Sequence, residues 1–199
     1  MKYLVFLFWV SLSAHTFAST PPAVIPLNQY LAAIDYFKKG EQSGCGLRIT
    51  GETRNNLWIN VLLNASIKES GALFGMFKVV VKKISMKNGK PLMQDGKVMY
   101  SSIGDIHKGW IRTDSGVEFQ ANQNKGGPHN DGYMAPMEFD AVMALLVAMP
   151  QENFRVGFSK KTDGTEQVFE FNKRITQDEA DRLLSCMKNL RDARERKNI

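Results

Sequence analysis

Residues 57–68 read LWINVLLNASIK, with an apolar residue at every second position. Successive side chains of a strand point to opposite faces of a sheet, so this alternation predicts a half-buried strand. A second alternating run covers residues 77–82, and Gly71 lies between the two. The pair is therefore expected to form an antiparallel hairpin, which places an antiparallel sheet at the centre of the fold.

Further strands are expected on both sides of this hairpin. Short runs that favour strands occupy residues 46–50, 98–101, 109–113 and 117–120. Asn88-Gly89 and Asp95-Gly96 are dipeptides typical of tight hairpin turns. Strands joined by short turns predict an antiparallel meander. A C-terminal hairpin is expected from residues 154–158 and 167–171, which flank Thr162-Asp163-Gly164.

Helical spacing of apolar residues appears three times. One predicted helix begins at Leu27 and stops before Gly40, a second ends before Pro150, and a third opens with a Thr176–Glu179 capping box. Together the patterns predict an α+β fold, in which an antiparallel sheet is packed by about three helices. The apolar face of the first predicted helix consists of Leu27, Tyr30, Leu31, Ile34 and Phe37. That of the second consists of Phe139, Val142, Met143, Leu146 and Met149, and that of the third consists of Leu183, Cys186, Met187 and Leu190.

The N-terminus has the layout of a secretory signal peptide over residues 1–18. Lys2 precedes an apolar run at residues 3–12, and small residues stand at Thr16 and Ala18, the −3 and −1 positions of a cut after Ala18. An uncleaved anchor is the alternative. Residues 19–26 contain three prolines and are expected to form an extended arm. Residues 27–199 are expected to form a single α+β domain that ends in a charged tail.

Two cysteines, Cys45 and Cys186, follow the predicted cut. An even pair in an oxidising compartment predicts one disulfide, and free thiols are the alternative. Export with one disulfide favours a Gram-negative periplasm, or else secretion. No further segment is apolar enough to suggest a membrane span in the processed chain. The net charge of +6 is spread along the sequence, which does not favour a nucleic acid as partner.

Residues with catalytic or metal-binding chemistry are few. His107 and His129 are the only histidines after the predicted cut, and no zinc-ligand spacing joins them to the cysteines. Neither a nucleophile motif nor a phosphate-binding glycine loop occurs. No catalytic residue, metal or cofactor is therefore predicted. Four carboxylates near residues 122–136 keep a hydrolase open as an alternative, and these are Asp105, Glu118, Glu138 and Asp140.

Residues 125–133 read KGGPHNDGY and lie in a turn-rich segment that spans residues 122–136. Loops displayed on a rigid sheet commonly bind partners, and a plain connection is the alternative. The candidate binding residues are Lys125, His129, Asn130, Asp131 and Tyr133.

The predicted function is an exported, non-catalytic binding protein of the cell envelope, such as an inhibitor, a toxin-neutralising protein or an accessory of secretion or assembly. Its expected partner is another protein of the envelope or a secreted protein. Two alternatives stay open: an envelope-polymer hydrolase that uses carboxylates or His129, and an oligomeric structural component. The sequence does not set the oligomeric state.

Overall fold

The computed structural model describes residues 22–38, 40–68, 70–121 and 132–197. The expected signal peptide therefore lies outside the described residues, and the arm is described from Pro22 onward. Strands and two helices occupy most of the described chain. In order they are β1 (Tyr30–Lys38), β2 (Glu41–Glu52), β3 (Leu57–Ile67), β4 (Leu73–Ile84), β5 (Met86–Lys87), β6 (Lys90–Pro91), β7 (Met93–Gln94), β8 (Lys97–Val98), β9 (Tyr100–Ser102), β10 (Ile106–Thr113), β11 (Glu118–Ala121), β12 (Gly132–Met137), α1 (Phe139–Ala148), β13 (Phe154–Lys160), β14 (Glu166–Phe171) and α2 (Gln177–Lys197).

The larger sheet has six strands in the order β1-β2-β3-β4-β12, and β9 also pairs with β4. All of its pairings are antiparallel. The alternation in β3 has the predicted effect: Ile59, Val61 and Leu63 are fully buried on one face. Trp58 and Leu62 on the opposite face are only half-buried. The hairpin of β3 and β4 is thus confirmed.

A second antiparallel sheet has the order β11-β10-β13-β14 and includes the predicted C-terminal hairpin. It packs on the buried face of the larger sheet. At the contact, a side-chain carbon added to Gly109 would lie 2.7 Å from Tyr133 Cδ1. The rings of Phe77 and Phe119 meet edge to face there, with centroids 5.9 Å apart. The described strands thus form two main sheets and two small two-stranded hairpins, rather than the one sheet that was expected.

Both helices also pack on the buried face of the larger sheet. Val142 of α1 lies against Gly75 of β4, where an added side-chain carbon would be 2.7 Å from Val142 Cγ1. Cys186 of α2 forms a disulfide with Cys45 of β2, across a sequence separation of 141 residues. The expected bond is therefore present. It lies in the core, since both cysteines are buried.

The structure contains two helices among its described residues, not about three. The expected N-terminal helix is instead strand β1, which pairs with β2 across the turn at Gly40. Leu31 and Ala33 face the core, whereas Tyr30 and Phe37 are exposed. The helical prediction was wrong because a short apolar run can fit both the helical and the strand period. Pairing with β2 then determines that this segment is a strand.

The capping box at the start of α2 is confirmed. Thr176 Oγ1 accepts a hydrogen bond from the Glu179 backbone N–H at 3.3 Å, and Glu179 Oε2 accepts one from the Thr176 N–H at 3.2 Å. The helix continues to Lys197, so most of the expected charged tail is helical. The arm makes one bridge to the second sheet, between Val24 and Phe169.

Candidate binding surface

The predicted binding loop falls largely outside the described residues. Lys125, His129, Asn130 and Asp131 all belong to residues 122–131, which the structure does not describe. Tyr133 lies in β12 with its side chain fully buried, so it is a core residue and not part of a surface loop. Burial raises the pKa of the Tyr133 hydroxyl. Its ring packs near that of Phe77, with the ring centroids 6.3 Å apart.

Three residues that could support the hydrolase alternative, Glu118, Asp140 and His107, lie on separate elements. Glu118 of β11 is in an exposed ion pair with Arg112, with Glu118 Oε2 at 2.6 Å from Arg112 Nε. Asp140 lies in the first turn of α1. His107 is half-buried in β10. Within the described part of the chain, no three His, Cys, Asp or Glu side chains are grouped so that they could hold a metal ion.

A different segment presents an organised surface. Residues 85–99 leave the end of β4 and form two consecutive hairpins, β5-β6 and β7-β8. We call these residues the double hairpin. The two hairpins have similar sequences, MKNGKP at residues 86–91 and MQDGKV at residues 93–98. The two hairpins therefore share a seven-residue repeat of Met-x-Asx-Gly-Lys, of which the sequence prediction covers only the two turns.

The turns have the conformation that their residues favour. Asn88 and Asp95 have φ angles of 52° and 51°, and the glycines that follow have φ angles of 74° and 72°. Two successive positive φ angles define a type I′ turn, which matches the twist of the strands that it joins. Asn and Asp tolerate this conformation better than other side chains, and glycine adopts it without strain.

Three backbone hydrogen bonds close the base of the double hairpin. The Ser85 N–H donates to Met99 O at 3.0 Å, the Met99 N–H donates to Leu92 O at 2.8 Å, and the Leu92 N–H donates to Ser85 O at 2.7 Å. The three residues are spaced seven apart, which is the repeat length. Each donates one bond and accepts one, so the ring fixes both hairpins to the end of β4.

Each hairpin has an apolar side and a polar side. Met86 pairs with Pro91 in the first hairpin, and Met93 pairs with Val98 in the second. Directly paired residues share a face, and neighbouring residues of a strand lie on opposite faces. The other side therefore carries Lys87 with Lys90, and Gln94 with Lys97.

Large apolar side chains of the double hairpin are exposed to solvent. Met93 is 52% exposed, Met86 40% and Leu92 38%. Scattered apolar residues on a surface are ordinary, but several within one short, ordered segment indicate a contact surface. The segment is also basic: residues 85–99 contain three lysines and one aspartate, a local net charge of +2 in a chain of +6.

An aromatic pair lies at the base of the double hairpin. The rings of Trp58 and Tyr100 are 5.3 Å apart between centroids and tilted by 44°. Tyr100 is 38% exposed, and its pKa is raised by burial and by the nearby Glu52 carboxylate. The backbone of Ile84 donates to Asn56 O at 2.7 Å, which ties this base to the β2–β3 turn.

The N-terminal arm reaches the same end of the larger sheet. The Leu27 N–H donates to Glu52 O at 2.6 Å, and Pro26 packs against Gly51. Val24, Ile25 and Leu27 are exposed by 43%, 52% and 59%. Beside them lies a depression of about 760 Å³, whose lining includes residues 23–27 and 53–55. We call the double hairpin, the Trp58–Tyr100 pair and this arm together the apolar end.

The apolar end holds most of the large apolar side chains that are exposed in the described residues. Seven belong to it, and Tyr30, Phe37, Val147 and Leu184 lie elsewhere. The seven are Val24, Ile25, Leu27, Met86, Leu92, Met93 and Tyr100. Their concentration at one end makes this the strongest candidate for a binding surface.

Comparison with family models, with curated proteins and with solved structures finds no match to the chain. Neither helix of the described residues is long and apolar enough to cross a membrane.

Proposed function

We propose that this chain is an exported binding protein of the cell envelope and that it binds through the apolar end. The observation that carries the proposal is the double hairpin, which displays Met86, Leu92 and Met93 on a hydrogen-bonded framework. Burying apolar surface against a partner contributes about 25 cal/mol for each Å². A framework that is already ordered loses little conformational entropy when it binds.

Export is supported by the disulfide and by the predicted signal peptide. Disulfides persist in oxidising compartments and are rare in the reducing cytosol. Here the Cys45–Cys186 bond joins β2 to α2 within the core. Its presence in protein recovered from the cell is tested by alkylation before and after reduction, followed by intact mass. If both cysteines are alkylated without reductant, the recovered protein has no disulfide, and this would contradict export to an oxidising compartment.

Binding is tested by sedimenting the purified protein with an envelope fraction. Met93→Asp places a charge on the second hairpin, where the side chain is 52% exposed. The matched control is Leu184→Asp, because Leu184 of α2 is also 52% exposed. We expect Met93→Asp to reduce the sedimented fraction and Leu184→Asp to leave it unchanged. Equal behaviour of wild type and both variants would refute the assignment of the apolar end.

Self-association is the competing explanation of an exposed apolar surface, and it corresponds to the structural-component alternative. Light scattering across a range of protein concentrations separates the two. A monomer that binds the envelope fraction supports the binding protein. A dimer that Met93→Asp dissociates would show instead that the apolar end contacts a second copy of the chain.

A further inference from the structure

We propose that the ligand of the double hairpin is the surface of an anionic lipid bilayer, an inference that rests on the proposed function. The hairpins would insert their apolar sides among the lipid headgroups, and their lysines would pair with the phosphates. The interaction requires no helix across the membrane and places the protein on the bilayer surface.

The shape of the apolar surface favours a bilayer over a folded partner. Met86 and Met93 stand on separate hairpins that branch from one ring of backbone bonds, so the exposed apolar surface is divided between two small projecting units. A folded partner needs a matched pocket for each projection. Headgroups and acyl chains rearrange around projections, and flexible methionine side chains adapt to such irregular surroundings.

Lysines are placed to reach the phosphates. Lys87 and Lys90 share the polar side of the first hairpin, and Lys97 belongs to the polar side of the second. A lysine extends an apolar stem along the bilayer boundary and keeps its ammonium group in water. The acidic residues nearby are Asp95 in the second turn and Glu52 beside Tyr100. Lysines therefore outnumber acids in this part of the surface.

The aromatic pair supplies a third feature of bilayer interfaces. Trp and Tyr rings have an apolar body and a polar edge, and they concentrate at the level of the lipid headgroups. Trp58 and Tyr100 pack together next to the double hairpin, and Tyr100 remains 38% exposed. Projecting apolar groups, flanking lysines and an interfacial aromatic pair thus occur together in the apolar end.

The test uses the chain that begins at Ser19, because the apolar run at residues 3–12 would itself bind lipid. This chain retains every described element. The protein, with its disulfide intact, is sedimented with vesicles of phosphatidylglycerol and phosphatidylcholine, and with vesicles of phosphatidylcholine alone. We expect binding to the anionic vesicles, weaker binding at high salt, and little binding to the neutral vesicles.

Variants locate the contact. Each lysine near an anionic bilayer strengthens binding by roughly fivefold, so neutralising Lys87, Lys90 and Lys97 together to Gln should weaken binding by about 100-fold. The matched control for charge is Lys188→Gln on α2, which should reduce binding by less than about twofold. Met93→Asp should also reduce vesicle binding, whereas Leu184→Asp should not.

Other outcomes would overturn the lipid assignment in distinguishable ways. Binding that is equal on both kinds of vesicle, or unaffected by the lysine variants, contradicts it. If vesicles are not bound but the envelope fraction still is, and Met93→Asp abolishes that binding, the ligand is a protein and the proposed function stands. If Met93→Asp binds as well as wild type to both the vesicles and the envelope fraction, the proposed function is refuted as well. A hairpin-dependent dimer would identify a second copy as the occupant.

Discussion

A close contact in the second sheet gives a sharp test of the structure. The indole ring of Trp110 lies directly over Gly157 on the neighbouring strand, where an added side-chain carbon would overlap the Trp110 atoms Cε2, Cζ2 and Nε1. The same indole donates from Nε1 to Glu166 Oε1 at 2.6 Å. Gly157→Ala must therefore displace the ring and lengthen this hydrogen bond.

The effect of Gly157→Ala on the free energy of unfolding is the difference between two opposing contributions. Losing a hydrogen bond to a charged group costs about 1.5–3 kcal/mol. Replacing a glycine inside a strand by alanine stabilises by about 0.5–1 kcal/mol, because alanine loses less backbone entropy on folding. Gly157→Ala should therefore lower the free energy of unfolding by about 1–2 kcal/mol in the wild-type protein. With Trp110→Ala already present, the same change should raise it by about 0.5–1 kcal/mol.

The assay is urea denaturation of the four proteins of this double-mutant cycle, followed by far-ultraviolet circular dichroism because one variant lacks a tryptophan. The expected coupling is about 2 kcal/mol, and the effect of Gly157→Ala should change sign. The same sign in both backgrounds, with a coupling below about 0.5 kcal/mol, would refute the stacking of Trp110 on Gly157.

Three further predictions concern stability and ionisation. Replacing both Cys45 and Cys186 by alanine should lower the free energy of unfolding by up to about 5 kcal/mol, as loop closure predicts, and a loss below about 1 kcal/mol in urea denaturation would contradict this. Leu63→Ala, at a fully buried position of β3, should cost about 2–5 kcal/mol in the same assay, and a cost under about 1 kcal/mol would place Leu63 outside the core. The pKa of Glu152 is lowered chiefly by its hydrogen bond from the Ser115 hydroxyl, so this stabilisation is present above the ordinary carboxyl pKa and is lost as pH falls through the lowered one. Ser115→Ala should therefore raise the pKa of Glu152 in a carboxyl NMR titration, and an unchanged pKa would show that the hydroxyl has no such role.

The sequence predicted the central hairpin and α2 because their signals are strong. The alternation in residues 57–68 continues for twelve residues, and the Thr176–Glu179 capping box marks a helix start with two specific side chains. The expected helix at β1 was wrong for a physical reason. Its five apolar positions fit the helical period, but only Leu31 among them becomes buried on the core face, together with Ala33 from a position outside the stripe.

Contacts between distant strands could not be predicted from local patterns. The packing of the two main sheets depends on contacts such as that between Gly109 and Tyr133. No local sequence pattern indicates that these two residues meet. Tyr133 was assigned to a surface loop because residues 125–132 contain three glycines and a proline. Its pairing with Val79 in the larger sheet instead places it in the core.

Only part of the double hairpin could be predicted from the sequence. Asn88-Gly89 and Asp95-Gly96 correctly marked two tight turns. The repeat of Met-x-Asx-Gly-Lys around them was present and could have been found by comparing the chain with itself at a shift of seven residues. The ring formed by Ser85, Leu92 and Met99 was not foreseeable, because it depends on how the two hairpins fold back to the end of β4.

Hydrogen–deuterium exchange can locate the residues through which the protein binds, and we propose that these belong to the apolar end. Exchange of backbone amides is compared between the free protein and the protein bound to an envelope fraction. We expect slower exchange on binding in residues 85–99 and 23–30, with exchange in α2 unchanged. Protection confined to α2, or absent from residues 85–99, would contradict it.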